Sequence, residues 1–266
     1  MENGLEMTLY APHHKKEDGF TLVEMAIVLT ILSILVAGGL SISNTQMEVA
    51  RIKSTKAKLE RIEEALRLHK EMFADLPCPA DGSLAETDGA FGEEDCGSGN
   101  FEANSGGESN RTWMGVVPTR KLNLPDEFML DGWGRRISYA VDKEYADGVW
   151  HDDITAPASR GQGSIEIQDI DGDERTSQGT VEGVDVMAIY VLISHGRNGI
   201  GAWSQDGGSR IDFGSPSNME IENAHVGGSA FDNEFIDDHI RGKKTDANYF
   251  DDYVVWKIKG QLQTYE

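Results

Sequence analysis

The chain has 266 residues, 26% of them charged, and a formal net charge of −22. A surface this acidic repels nucleic acid and anionic lipid, so sequence-independent phosphate binding is disfavoured, and cations or a basic partner suit it. Apolar residues at 39% allow a core outside any greasy segment, 30 glycines imply many turns, and the length allows one large domain or two small ones.

The first feature in chain order is the stretch DGFTLVEMAIVLTILSILVAGGL, residues 18–40. Residues 20–43 hold a single charge, Glu24. As a helix they would span roughly 36 Å, enough for a bilayer core of ~30 Å. Lys15 and Lys16 precede the run, and no basic residue follows until Arg51. The positive-inside rule then puts residues 1–19 in the cytoplasm and the rest outside, as a single-pass inner-membrane protein. A cleaved signal peptide, cut near Ala37 or Ser41, is the plainer alternative. The run is longer than a signal core, and Glu24 costs ~3 kcal/mol in lipid, which marks it as functional.

Gly19-Phe20-Thr21-Leu22-Val23-Glu24 resembles the cleavage and methylation motif of type IV pilins and type II secretion pseudopilins. The resemblance covers about the first 25 residues after Gly19. It implies that prepilin peptidase cuts between Gly19 and Phe20 and that the new amino group of Phe20 is methylated. It also implies that Glu24, the fifth residue of the mature chain, guides assembly. The acidic pair Glu17-Asp18 before the cut departs from the family pattern. A buried acid without a partner is expensive, so Glu24 penalises the lone subunit. It rewards the register in which it meets the Phe20 amine of a neighbouring copy.

The helix is expected to continue to about residue 74. Ile52, Leu59, Ile62, Leu66 and Phe73 recur at helical spacing, with Thr55 and His69 on the same stripe and Pro77 as the stop. His69 reads as a core or boundary residue rather than a ligand. Domain organisation follows as a leader (1–19), a membrane and assembly half-helix (20–44), an amphipathic half-helix (45–76) and a globular head (77–266). Residues 79–112 are polar and turn-rich and read as a surface loop, not a sheet. Cys78 and Cys96 pair if this part is exported, and stay as reduced thiols if the chain is cytosolic.

Strand-like runs follow at 136–142, 164–170, 184–194 and 253–259, with Gly- and Asp-rich turns between them. No helical repeat separates them, so an antiparallel sheet is expected, giving an α+β fold of one long helix packed on that sheet. The head also resembles the pilin class, with less specificity. LDGWGRRISY (130–139) is similar to the Asp-Pro-Trp-Gly element of major pseudopilins, with Gly132 in place of Pro. LISHGRNGIGAW (192–203) and DDYVVW (251–256) resemble the turn and last strand of such heads. Residues 204–250 read as an inserted or lid loop.

Two acidic stretches are candidate calcium sites. The resemblance to major pseudopilins implies ligands just before the last strand, at Asp246, Asn248, Asp251 and Asp252, facing the 195–203 turn. The second candidate, DIDGDE, sets Asp169, Asp171 and Asp173 at alternate positions, where carboxylates can converge on a hard cation. It is no EF-hand, because Gly172 is at position four and Thr180 at twelve. Ordinary Asx turns explain either stretch without a metal.

No hydrolase, Walker, dinucleotide or zinc-protease motif is present, and Ser194 and His195, adjacent in a strand, point to opposite faces. His13-His14 falls in the leader. The expected function is non-enzymatic: a structural subunit of a type IV filament-like assembly, first as a type II secretion pseudopilin. A pilus subunit for adhesion, motility or DNA uptake is the second reading, and a membrane-anchored hydrolase borrowing the export signal the third. The implied partners are copies of itself, related pilin-like subunits, prepilin peptidase and the inner-membrane assembly platform, with no nucleic acid.

Overall fold

The computed structural model describes residues 19–96, 101–102, 112–146, 163–176, 180–181, 184–212, 218–224, 233–242 and 249–262; the side chains of 37–44, 101–102, 180–181, 184–185, 218–219 and 221 are outside that description. The described elements are α1 (Leu22–Phe73), β1 (Phe101–Glu102), β2 (Thr112–Val116), β3 (Ser138–Asp142), β4 (Glu166–Gln168), β5 (Thr180–Val181) and β6 (Val184–Asp185). They continue with β7 (Ala188–Ser194), α2 (Asn218–Ala224), β8 (Glu234–Ile236), β9 (Tyr253–Ile258) and α3 (Lys259–Leu262). The chain divides into two compact units, Met1–Glu48 and Val49–Glu266.

In the first unit, α1 carries a continuous apolar surface. Leu22, Val23, Ile27, Leu29, Ile31, Ile34 and Leu35 are all exposed, as a helix meant for lipid or for other helices would leave them. Among the described residues, no helix is long and apolar enough to cross a membrane. The described side chains of the 20–43 run end at Val36.

In the second unit, α1 lays its stripe of Leu59, Ile62, Ala65 and Leu66 into a core with Tyr139, Val141, Ile189 and Leu192. Each such aliphatic side chain contributes about 1.5–3 kcal/mol by leaving water. Thr55 and His69 are buried on this stripe as expected. Phe73 is not: it is 58% exposed, with Met72 beside it at 70%. The helix ends at Phe73, ahead of Pro77, because Ala74 takes a left-handed φ of 57° and turns the chain so that Leu76 enters the core instead.

The principal sheet has five strands in the order β1-β2-β3-β7-β9, antiparallel throughout, so the fold is α+β. One face meets α1, and the other packs Met114, Ala140, Val191 and Ile193 on Ile165, Ile167 and Phe235. β7 is buried at all seven positions, which explains why AIYVLIS reads as a continuous apolar run rather than an alternation.

Three expectations are corrected. Residues 79–112 are not wholly a surface loop. Phe101–Glu102 forms edge strand β1, Ala80 bridges to Val116, and Ala80 and Phe91 are buried with Met129 and Trp203. Their scattered apolar residues gave no periodicity to detect. The 164–170 run does not join the principal sheet as a strand; β4 pairs in parallel with β8, and among the described residues the isolated bridge from Ile165 to Ala188 ties its backbone back. The 204–250 region is not a simple lid, since α2 and β8 lie within it and Phe235 is fully buried.

Candidate functional site

At the N-terminus, Gly19 and Phe20 lie in irregular backbone before the helix. Phe20 is 78% exposed, and among the described residues nothing lies within 4 Å of the position a Cβ on Gly19 would take, so none of them covers the 19–20 peptide bond. Thr21 and Glu24 form a capping box. Glu24 N–H donates to Thr21 Oγ1 at 3.2 Å, and Glu24 Oε2 accepts from Thr21 N–H and Oγ1–H, both at 2.8 Å. Two of the helix's otherwise unpaired amides are satisfied this way. Glu24 thus has a partner within its own subunit. The Thr-x-x-Glu spacing carries this signal in the sequence, where the acid was weighed only as an inter-subunit group.

The second site lies at the turn after β7 and the entry to β9. Glu220 on α2, Asp251 and Asp252 are all buried, and one carboxylate oxygen from each lies within 4.8 Å of the others. Asp251 Oδ2 accepts from the amides of Arg197 (2.9 Å) and Asn198 (3.1 Å) and from the Tyr249 hydroxyl (2.7 Å). Glu220 Oε1 accepts from Asn198 Nδ2 at 2.7 Å, and Asp252 Oδ2 from Asn223 Nδ2 at 2.9 Å. Asp251 Oδ1 and Asp252 Oδ1 are buried with no hydrogen-bond partner. Gly196, at φ 53°, allows the close approach: a Cβ there would lie 2.1 Å from the Asp251 carbonyl oxygen.

Burial, then the charge of Asp251, pushes the Glu220 carboxyl up to about 8. Burial likewise holds Asp252 well above the carboxylate range. Three acids crowded in this way need protons or a cation.

Of the four residues expected here, the structure brings Asp251 and Asp252 together, and Asp246 and Asn248 lie outside the described residues. Glu220 was missed. It is 31 positions before Asp251 in a stretch with no motif, and only packing brings it in. Asp169, Asp171 and Asp173 sit elsewhere, at the end of β4, with Asp169 half-buried and the other two exposed. Asp169 Oδ1 accepts from the amides of Asp171 (2.9 Å) and Asp173 (3.0 Å), an Asx turn.

Ser194 and His195 do diverge: Ser194 donates to Asp131 Oδ2 at 2.7 Å, while His195 Nε2 lies 2.9 Å from Ser138 Oγ. His195 Nδ1 is 3.9 Å from Asp252 Oδ2, so Ser138, His195 and Asp252 form a line like that of a hydrolase. Ser138 and His195 have no exposed surface, so the hydroxyl is out of reach of a substrate. Cys78 and Cys96 are joined by a disulfide that closes the segment after α1 on itself.

The chain matches the family model of the prokaryotic N-terminal methylation motif over residues 14–40. No curated protein and no solved structure matches it. The matched segment contains the Gly19–Phe20 junction, Thr21 and Glu24, and the motif goes with a protein anchored in the membrane or built into a filament. With the α+β head behind it, this prepilin-type motif supports the type IV pilin-like class for the chain, that of filament subunits processed by prepilin peptidase.

Proposed function

We propose that the chain is a pseudopilin of a type II protein secretion system. In this reading it is held in the inner membrane by one pass of α1, with its head in the periplasm. It is cut after Gly19 and polymerised with copies of itself and related subunits on the assembly platform. The observation that carries the choice of pseudopilin is the LDGWGRRISY element together with the acid pair before β9. Asp131 organises this element by accepting from the amides of Trp133 and Arg135 and from Ser194. Gly132 N–H donates to Thr55 Oγ1 on α1 at 2.9 Å.

Calcium belongs to this proposal. The donors at Asp251 and Asp252 are hard oxygens, two of them buried without a hydrogen bond, which fits a hard divalent cation. No enzymatic step is assigned, and the inaccessible Ser138 hydroxyl favours that reading over the anchored hydrolase.

The test is an in-frame deletion in the host. Exoproteins retained in the periplasm with surface pili intact support the pseudopilin. Lost piliation, twitching or DNA uptake with normal secretion supports the pilus subunit instead. Turnover of esters or glycans by the purified chain would return the hydrolase.

A further inference from the structure

We infer that Glu220 is a third carboxylate ligand of the cation held by Asp251 and Asp252, and that the bound cation clamps α2 onto the entry to β9. The inference rests on the calcium reading above and extends it to a residue that neither the motif nor the family resemblance marks.

Glutamate on a short helix ordinarily faces water, yet Glu220 is only 2% exposed and turned against two aspartates. The donors described around the three acids include amides, a hydroxyl and two side-chain carboxamides, with His195 Nδ1 3.9 Å from Asp252 Oδ2. Asp251 Oδ1 and Asp252 Oδ1 are buried without a hydrogen bond, and a divalent cation where the three carboxylates converge would give both the partner they lack. Calcium takes about six to eight oxygens, so three carboxylates from two chain segments can form one side of its shell, and each added carboxylate raises affinity.

The clamp follows from connectivity. Asn223, on the same helix as Glu220, donates to Asp252 Oδ2 and to the Ile236 carbonyl and accepts from Ile236 N–H. α2, β8 and the entry to β9 thus already meet at this point, and the cation would join the first and last directly. Fixing two distant segments to one ion restricts the loop between them, as any cross-link does.

The test uses the full processed chain in detergent, with calcium titrated by calorimetry after chelator treatment and amide exchange followed across residues 218–224. The wild type is expected to bind calcium saturably and to slow exchange in α2. Glu220→Gln is expected to bind on the order of tenfold more weakly or worse. Without calcium it should melt no lower than the wild type, because glutamine keeps the oxygen that accepts from Asn198. Asp171→Asn, in the exposed turn, should bind as the wild type does.

Equal binding by Glu220→Gln, or α2 exchange that ignores calcium, overturns the inference and leaves calcium at the aspartates. A calcium-free Glu220→Gln chain that melts lower than the wild type overturns it too, since the carboxyl group of Glu220 then serves the fold without a cation. A wild type that binds no calcium overturns both this inference and the calcium reading. Loss of binding in Asp171→Asn moves the cation to the exposed turn and overturns both assignments.

Discussion

Glu24 has two competing partners, and substitutions can separate them. Within its own subunit it closes the capping box with Thr21; in the proposed filament it meets the Phe20 amine of a neighbour. Glu24→Ala removes both: the helix start loses the acceptor of the Thr21 N–H, and the filament loses a buried charge pair, whose disruption typically costs about 3–5 kcal/mol. Glu24→Gln keeps an acceptor for Thr21 and removes the charge. Both variants are expected to be cleaved normally. Both should lose polymer, measured as sheared filament against total processed chain, with Gln no better than Ala. Wild-type polymer from either variant would show that the acid does not set the register.

His69 is a separate residue-scale case. Burial, with the Phe73 ring 4.6 Å away, lowers its pKa. Asp75, with Oδ1 3.1 Å from Nε2, and Glu94 oppose that shift, while Lys121 adds to it. The folded state therefore binds the proton less readily than the unfolded chain, whose value is about 6.5. The stabilisation is present above that pH and is lost as the pH falls below it. Melting temperature should drop between pH 7.5 and 5, and the drop should be shallower in His69→Gln. Equal slopes would exclude the histidine as the cause.

At the element scale, the Gly132 position accounts for the departure from the family pattern. A Cβ there would lie 2.2 Å from the carbonyl oxygen of Arg51, and proline would also remove the N–H that donates to Thr55. α1 and the 130–139 element approach backbone to backbone, so only glycine fits. Gly132→Ala should cost about 1–3 kcal/mol as overpacking. Gly260→Ala, in α3 with open space around it, should be neutral or stabilising by up to ~1 kcal/mol. Thermal melts of the two variants side by side read the difference directly.

The Cys78–Cys96 bond is the other element-scale constraint, closing a loop of 18 residues' separation. Its loss in the double serine variant should cost ~3 kcal/mol in the loop-entropy picture. Chain taken from the cell envelope should show no free thiol under denaturing, non-reducing conditions. Two reactive thiols there would refute pairing in the cell.

For the whole molecule, the decisive measurement is the mass of the envelope-extracted chain. It should begin at Phe20 and carry one added methyl group. A chain starting between residues 37 and 43 would mark an ordinary signal peptide and remove the pilin-like reading.

Sequence alone determined the features written in contiguous residues. The Gly19–Phe20 junction, Glu24 and the capping spacing lie within six positions, and the α1 stripe through Leu66 follows helical periodicity. β3, β7 and β9 follow from apolar runs bounded by turns, and the α+β class follows from their order. Tertiary structure decided what depends on distant segments meeting. The β1 edge and the buried Phe91 have no local pattern, because two or three apolar residues among glycines and acids show no period. The parallel pairing of β4 with β8 depends on a partner about seventy residues away. Glu220 joins Asp251 and Asp252 for the same reason: its burial comes from α2 packing beside β8, and no local preference of that stretch requires a carboxylate to face inward.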